Sequence, residues 1–235
     1  DVSPAFLKPG DTIGVMAPSS FVERDDIDAS VTRLEARGYK VFIHPQTFER
    51  SGQSAGTLLQ KSLALQGLFR RDDIHAIWFA GGGNQSMGLM KSINFEKLQD
   101  TRKPVLGFSD GTTLINALPA LCSAPAFHAH VFKQLGTLDD STFNTCLDTL
   151  EGKTRSFTLS VDQIGRGGAA KGRLIGGNLS LVQYLPALLP DDFCDDAILF
   201  IEDCHEELSR VDRMLCFLRT SGMLSRLSGL MFGQF

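Results

Sequence analysis

Short apolar runs alternate with amphipathic segments over roughly the first half of the chain. Four runs end in a turn or in glycines, and they are TIGVMA at 12–17, YKVFI at 39–43, AIWFA at 76–80 and PVLGF at 104–108. Between the first two runs, Ile27, Val31 and Leu34 recur at i, i+4 and i+7, the spacing of one helix face. Strands that alternate with amphipathic helices predict βαβ units around a parallel sheet covered on both faces.

Two further helices are predicted in this part of the chain. The segment 54–73 places Leu58, Leu65 and Phe69 on one stripe, and another helix begins at Thr112. Helices on both faces of an open parallel sheet are typical of the flavodoxin-like α/β class. We therefore predict an N-terminal α/β domain over residues 1–152.

The pattern changes after about residue 150, where Gly, Ser and Thr become frequent. The stretch that follows indicates a crossover into a second, smaller α/β unit. That unit is predicted to contain a helix at 178–188, a strand at 197–203, a helix at 206–219 and a strand at 229–235. Because the sequence stops directly after a strand-like run, we expect this C-terminal domain, residues 153–235, to be truncated.

Composition narrows the classes of function. Apolar residues make up 43% of the 235 positions and charged residues 21%, which is ordinary for a globular protein. The formal charge of −4 gives no electrostatic reason to expect a nucleic acid or a membrane surface as partner. The five cysteines include no C-x-x-C pair, so neither a disulfide framework nor a zinc knuckle is expected, and the cytoplasm is the expected location.

The sequence GFSDG, residues 107–111, includes the end of the fourth apolar run. G-x-S-x-G after a strand and before a helix is the nucleophile-elbow pattern, in which a sharp turn lifts the serine hydroxyl above the sheet. The N–H groups at the start of the following helix suit a developing oxyanion. The alternative is a serine that caps the helix, and the pattern by itself leaves both interpretations of Ser109 open.

Two other strand ends carry candidate chemistry. Gly81, Gly82 and Gly83 follow the third run, and such a loop can bring backbone N–H groups to an anion or supply a second oxyanion donor. The alternative is a plain flexible connection between strand and helix. Glu202 ends the strand predicted at 197–203, where a buried acid needs a partner.

The partner of Glu202 has two interpretations. Arg210 and Arg213 lie about one helical turn apart and can neutralise it as structural ion pairs, whereas a serine nucleophile needs a histidine that an acid orients. His128 and His130 alternate along an extended stretch, but no ligand cluster around them supports a metal site. None of the five histidines has a spacing that identifies it as the base.

Five stretches in this order resemble the LD-carboxypeptidases, a serine peptidase family that includes the microcin C immunity proteins. They are GDTIGVMAPSS near the start, GGG at 81–83, GFSD at 107–110, LIGGNLSLV at 174–182 and IEDCHEELSRVDRML at 201–215. Each stretch is short, but together they span most of the chain. The resemblance implies a two-domain α/β enzyme whose triad is Ser, Glu and His in chain order.

The resemblance also implies roles for particular residues. Ser109 would be the nucleophile, and Glu202 would orient the histidine. The N–H groups of Gly82 and Asp110 would form the oxyanion hole, and Asn178 is a candidate substrate-binding residue. The family's histidine lies in a Gly-His motif after the strand that here reads GLMFGQF, and no residue of this sequence matches it. We expect that histidine in a segment that follows the present sequence.

By this resemblance the protein is expected to be a cytoplasmic serine carboxypeptidase that releases the terminal D-alanine from muropeptide tetrapeptides during peptidoglycan recycling. No cofactor is implied, and the family suggests a homodimer that acts on a muropeptide or peptide substrate. Two alternatives stay open: a microcin-immunity-like peptidase that cleaves an acyl-sulfamoyl or peptidyl-nucleotide amide, and a non-catalytic relative that binds cell-wall peptide. An aromatic platform for an adenine would favour the first, and the only tryptophan, Trp78, lies within a predicted strand.

Overall fold

The computed structural model describes residues 3–98, 101–154, 156–159 and 165–235. Its larger sheet has five parallel strands: β1 (Thr12–Met16), β2 (Lys40–Ile43), β3 (Ala76–Phe79), β4 (Val105–Gly107) and β5 (Ala126–His128). The strand order is β2-β1-β3-β4-β5, which is the flavodoxin-like arrangement. The predicted class is therefore confirmed, and β5 is added to the four strands that the apolar runs predict.

Four helices cover the two faces of this sheet: α1 (Arg24–Ala36), α2 (Leu58–Arg70), α3 (Thr112–Cys122) and α4 (Asp140–Leu150). Helices α1 and α4 pack on one face, where Val15 and Trp78 contribute to the core. Helices α2 and α3 pack on the other face with Met16 and Phe79. Neighbouring residues of one strand thus face opposite cores, as the period of two in a β-strand requires.

The second sheet is smaller and also parallel. Its strands are β6 (Leu174–Asn178), β7 (Ile198–Glu202) and β8 (Gly229–Phe232), in that order, and they are accompanied by α5 (Leu179–Val182), α6 (Leu185–Leu188) and α7 (Leu208–Thr220). A third core joins Leu179, Leu199 and Leu218 from these elements. The strands confirm a second, smaller α/β unit, whereas the domain boundary between residues 152 and 153 stays a prediction.

Three details differ from the predictions. The helix expected at 178–188 is two short helices, α5 and α6. The stretch at 174–178, expected as part of a glycine-rich crossover, is strand β6. Leu58 does not belong to the buried stripe of α2: it is 43% exposed, because the face of this helix that packs on the sheet is the one that carries Leu65.

Helix α3 joins the two sheets through polar side chains. Asn116 donates from Nδ2 to the carbonyl of Gly176 at 2.8 Å, and its Oδ1 accepts from the N–H of Gly176 at 2.8 Å. The hydroxyl of Thr112 accepts from the N–H of Asn178 at 3.0 Å. Because β6 lies at the edge of its sheet, the side chain of Asn116 forms the hydrogen bonds that a neighbouring strand would form. The bond from Asn178 to Thr112 places the end of β6 at the start of α3.

Replacing Asn116 with alanine is expected to lower the free energy of unfolding by about 2–4 kcal/mol, because both backbone groups of the buried Gly176 lose their partner. Urea unfolding measures this loss. Asn144→Ala is the matched control, since Asn144 accepts a bond from Arg37 at the surface and its replacement should cost less than about 0.5 kcal/mol. Equal stability of the two variants would contradict the role given to Asn116.

Candidate active site

Ser109 occupies a strained turn between β4 and α3. Its φ of 56° lies in the left-handed region, which residues other than glycine seldom adopt. The residue is partly exposed, and the N-cap of α3 is Gly111, so Ser109 does not cap this helix. A partly exposed serine in a strained strand-to-helix turn has the geometry of a nucleophile elbow.

Phe79 requires a glycine at position 107 and leaves little room for a side chain at position 111. A Cβ atom on Gly107 would lie 2.6 Å from Cδ2 of Phe79, and one on Gly111 would lie 3.1 Å from the same atom. Phe79 itself is fully buried in the core beneath α2 and α3. The glycines therefore let the turn pack directly on the ring, which holds Ser109 at the end of the sheet.

The glycine loop after β3 passes next to the serine. A Cβ atom on Gly82 would lie 3.7 Å from Oγ of Ser109, so the backbone of Gly82 lies beside the hydroxyl. Gly83 has a φ of 149°, and a side chain there would collide with Ser20. The carbonyl of Gly82 accepts from the N–H of Ser20 at 3.2 Å, so residues after β1 hold the loop in place. The use of the Gly82 N–H as an oxyanion donor stays a prediction.

The carboxylate of Asp110 has a structural task that the sequence does not reveal. The residue is 2% exposed, and Oδ2 accepts from the N–H of Gln85 at 2.9 Å and from the N–H of Ser86 at 2.8 Å. The hydroxyl of Ser19 donates to the same oxygen, and the hydroxyl of Ser86 donates to the carbonyl of Asp110. One carboxylate thus ties the turn at Ser109 to the segments that follow β1 and β3. The oxyanion role predicted for Asp110 belongs to its backbone N–H and not to this carboxylate, and it stays a prediction.

Glu202 lies at the end of β7, opposite Asn178 in the register with β6. It is 7% exposed, and its Oε1 is buried without a hydrogen-bond partner among the described residues. Burial raises the pKa of this carboxyl group to about 7, the charge of Asp203 adds to the increase, and a hydrogen bond from Asn178 opposes it. A buried acid with an unpaired oxygen needs a donor, and in a triad that donor is an imidazole N–H.

Asp203 holds the end of β7 in place. Its Oδ1 accepts from Nδ2 of Asn178 at 3.0 Å and from the N–H of Cys204 at 2.9 Å. Its Oδ2 accepts from the N–H and the hydroxyl of Ser180, at 3.1 and 2.7 Å. These bonds fix Asn178 and the backbone beside Glu202, a task that the sequence analysis did not assign to Asp203.

The imidazole of His128 reaches the same acid. Its Nε2 lies 4.0 Å from Oε1 of Glu202. The ring packs edge-on against Phe108 and Phe200, with centroid distances of 5.1 and 5.3 Å. Burial, and to a smaller extent the charge of His130, lower the pKa of His128 to about 4, so this ring is neutral at pH 7.

The predicted site residues meet where α3 and β5 contact the second sheet. Thr112, three residues after Ser109, binds the N–H of Asn178 at 3.0 Å. His128 packs on the residue that precedes Ser109 and also faces Glu202. Both catalytic candidates therefore lie at the carboxyl ends of parallel strands, the edge where α/β proteins bind their ligands.

Two alternatives from the sequence can be compared with this geometry. Arg210 forms its ion pair with Glu206 at 3.2 Å rather than with Glu202. Around His128 and His130, as elsewhere in the described ranges, no group of three His, Cys, Asp or Glu side chains is placed to hold a metal ion. Nor is any helix in these ranges long and apolar enough to cross a membrane.

Comparison with known proteins identifies the family. The family model described as the LD-carboxypeptidase N-terminal domain matches residues 13–129, and the one described as the LD-carboxypeptidase C-terminal domain matches residues 171–235. Together they cover most of the chain, in the order that the sequence motifs predict. The protein belongs to the LD-carboxypeptidase family.

Individual relatives agree with this assignment. A probable murein peptide carboxypeptidase of Bacillus subtilis is 30% identical over 240 aligned positions that cover 99% of this chain and 74% of that protein. The crystal structure of muramoyltetrapeptide carboxypeptidase from Oxalobacter formigenes has a TM-score of 0.82 and 26% identity, over 95% of this chain and 77% of that one. The microcin C7 self-immunity protein MccF has a TM-score of 0.85 at 22% identity, over 99% and 80%, which shows a shared fold.

Proposed function

We propose that this protein is a serine LD-carboxypeptidase that releases the terminal D-alanine from muropeptide tetrapeptides in peptidoglycan recycling. Family membership supports carboxypeptidase chemistry, and the names of the Bacillus subtilis and Oxalobacter formigenes proteins support a murein peptide as substrate. The observation that carries the proposal is the strained, partly exposed Ser109 with the backbone of Gly82 against its hydroxyl. A cytoplasmic homodimer without a cofactor belongs to the same proposal. The homodimer and the lack of a cofactor rest on the resemblance, and the location rests on the cysteine pattern.

In this mechanism the hydroxyl of Ser109 attacks the carbonyl carbon that joins the L-centre of the diamino acid to D-alanine. An imidazole takes the proton from Oγ and returns it to the leaving amine of D-alanine. The N–H groups of Gly82 and Asp110 stabilise the charge that develops on the carbonyl oxygen, and the positive end of α3 adds to this effect. Water then hydrolyses the acyl-serine, with the imidazole acting as base again.

The acid defines where the imidazole must lie. Oε1 of Glu202 is buried and unpaired in the described structure, and in the mechanism it accepts from Nδ1–H of the histidine. The resemblance expects this histidine in a Gly-His motif after β8. The main chain after β8 already lies against the acid, since a Cβ atom on Gly233 would be 3.0 Å from Cβ of Glu202. His128 then forms a wall of the cleft with Phe108 and Phe200.

A microcin-type activity gains no support from the tryptophan. Trp78 is fully buried, and its Nε1 donates to the carbonyl of His130 at 2.7 Å, so it offers no open face to an adenine. The likeness to the solved MccF structure concerns the fold. We therefore prefer the muropeptide as substrate.

The test is release of D-alanine by the full-length protein from L-Ala-D-Glu-mDAP-D-Ala, measured with D-amino-acid oxidase. The matched substrate ends in L-alanine, and its hydrolysis is followed by chromatography. We expect hydrolysis of the peptide that ends in D-alanine and none of its diastereomer. Binding of the tetrapeptide without hydrolysis would favour the non-catalytic alternative. Cleavage of an aminoacyl sulfamoyl adenosine in place of the peptide would favour the microcin-type alternative.

A further inference from the structure

A lysine is buried beside Gln85, two residues after the glycine loop, and lies outside the groups that the mechanism uses. Lys61 belongs to α2 and is 0% exposed. Its Nζ donates to Oε1 of Gln85 at 3.2 Å. Lysine is rarely buried this completely unless it is paired, because removing an ammonium group from water is unfavourable. Lys61 therefore needs a counter-charge inside the protein.

The anion that acts on Lys61 is Asp110, which is linked to it through Gln85 and not by a direct ion pair among the described residues. Burial lowers the pKa of the Lys61 ammonium group, and the negative charge of Asp110 opposes this change. Gln85 bridges the two charges, since its side-chain oxygen accepts from Lys61 and its N–H donates to Oδ2 of Asp110 at 2.9 Å. The cation and the anion are thus joined through one residue, by the side-chain oxygen and the backbone N–H of Gln85.

The charge of Asp110 matters because of its place in the site. Asp110 follows Ser109 directly, and its N–H is the proposed oxyanion donor. An uncompensated carboxylate so close to that N–H would repel the negative charge of the transition state, and such repulsion is strong away from water. The N–H and O–H donors that bind the carboxylate carry no net charge. The ammonium group of Lys61 adds the positive charge.

We propose that Lys61 is a positioning residue for the acyl-transfer step: it balances the charge of Asp110 through Gln85 and keeps the Asp110 N–H directed at the oxyanion. This role rests on the proposed function and deepens it. Lys61 touches neither substrate nor reacting atoms in this scheme. It is therefore expected to affect turnover and not substrate binding.

Lys61→Met in the full-length protein tests this role with the tetrapeptide substrate. Methionine fills most of the space and removes the charge, so kcat should fall roughly tenfold or more while KM stays within about twofold. Lys103→Met is the matched control. Lys103 also holds α2, but at its other end, where Nζ donates to backbone carbonyls. That variant should have a lower Tm and an unchanged kcat.

Two further variants separate charge balance from packing. Lys61→Arg keeps the charge and should retain a higher kcat than Lys61→Met. Asp110→Asn removes the anion, so adding it to Lys61→Met should raise kcat above that of the single Lys61→Met variant, because no charge is left unpaired. The proposal would be overturned if the double variant had a kcat reduced by the product of the two single-variant factors. It would also be overturned if Lys61→Met folded and kept the wild-type kcat.

The melting temperature tests the coupling of Lys61 and Asp110 without relying on the proposed activity. The Tm of Lys61→Met should fall by roughly 10 °C, and Asp110→Asn in the same chain should restore part of that loss. A wild-type protein that releases no D-alanine would refute the proposed function. In that case recovery of the Tm in the double variant would still show that the two charges are coupled, whereas additive losses of Tm would refute the charge network as well.

Discussion

Ser109→Ala is expected to lose D-alanine release, with kcat/KM lower by about 10⁴-fold or more, because the attacking oxygen is removed. The fold is expected to persist. Alanine carries the same backbone strain as serine at a φ of 56°, so the Tm should change by less than about 3 °C. Activity assays and thermal melts on the same preparation measure both quantities. Loss of turnover in a stable protein identifies a nucleophile.

Ser123→Ala is the matched control for this variant. Ser123 lies at the other end of α3 with a φ of 57°, so it shares the backbone strain of Ser109 but not its place in the site. We expect wild-type turnover from it. If Ser109→Ala kept its turnover, the nucleophile assignment would be discarded. If Ser109→Ala lost stability and kept turnover, the serine would have a purely structural role.

In the full-length protein, Glu202→Gln is expected to lower kcat/KM by about 10³- to 10⁴-fold. In the chain of residues 1–235, where Oε1 of Glu202 has no donor among the described residues, the same change is expected to stabilise the fold at pH 8. Glutamine keeps the shape of the side chain but loses the charge that orients the imidazole. The gain in stability follows from the pKa of Glu202, which burial and the charge of Asp203 raise from 4.5 to about 7. Between these values the folded protein keeps a proton that the unfolded chain has already released.

The pH dependence of this gain has a definite sign. As the pH rises from 4.5 to about 7, the unfolded state binds fewer protons than the folded state, so wild-type stability falls. Glutamine resembles the protonated acid, so Glu202→Gln should gain less than about 1 kcal/mol in unfolding free energy at pH 5 and about 3 kcal/mol at pH 8. Glu206→Gln, which loses an ion pair with Arg210, should show no such gain. An equal gain at both pH values, or full activity, would contradict the prediction.

The fold can be predicted from the sequence where its signals are local. The strands β1, β3, β4 and β7 follow from continuous apolar runs. The strand β6 does not, because glycines interrupt its apolar pattern and the partner of Gly176 on the outer side is the side chain of Asn116, which lies far away in sequence. Helix α4 could have been found, since Asp139 caps its first turn and Phe143 and Leu147 face the core at helical spacing.

The candidate site also has features that local sequence patterns predict and features that depend on tertiary packing. The turn at Ser109 and its contact with the glycine loop follow from patterns at the ends of neighbouring strands. The burial of Lys61 could not be predicted, because a lysine on an amphipathic helix ordinarily faces water and this one is paired through the tertiary fold. His128 meets Glu202 only through the position of β5 and the packing of the second sheet against α3.

The bonds from Ser19, Gln85 and Ser86 to Asp110 make the loops after β1, β3 and β4 one mechanical unit. An inserted residue in any of them would shift the other two together with the hydroxyl of Ser109. The loop at 204–207 lies outside this unit and is largely exposed. Laboratory evolution toward other peptides therefore has room for insertions at 204–207, whereas the length of 81–86 must be kept.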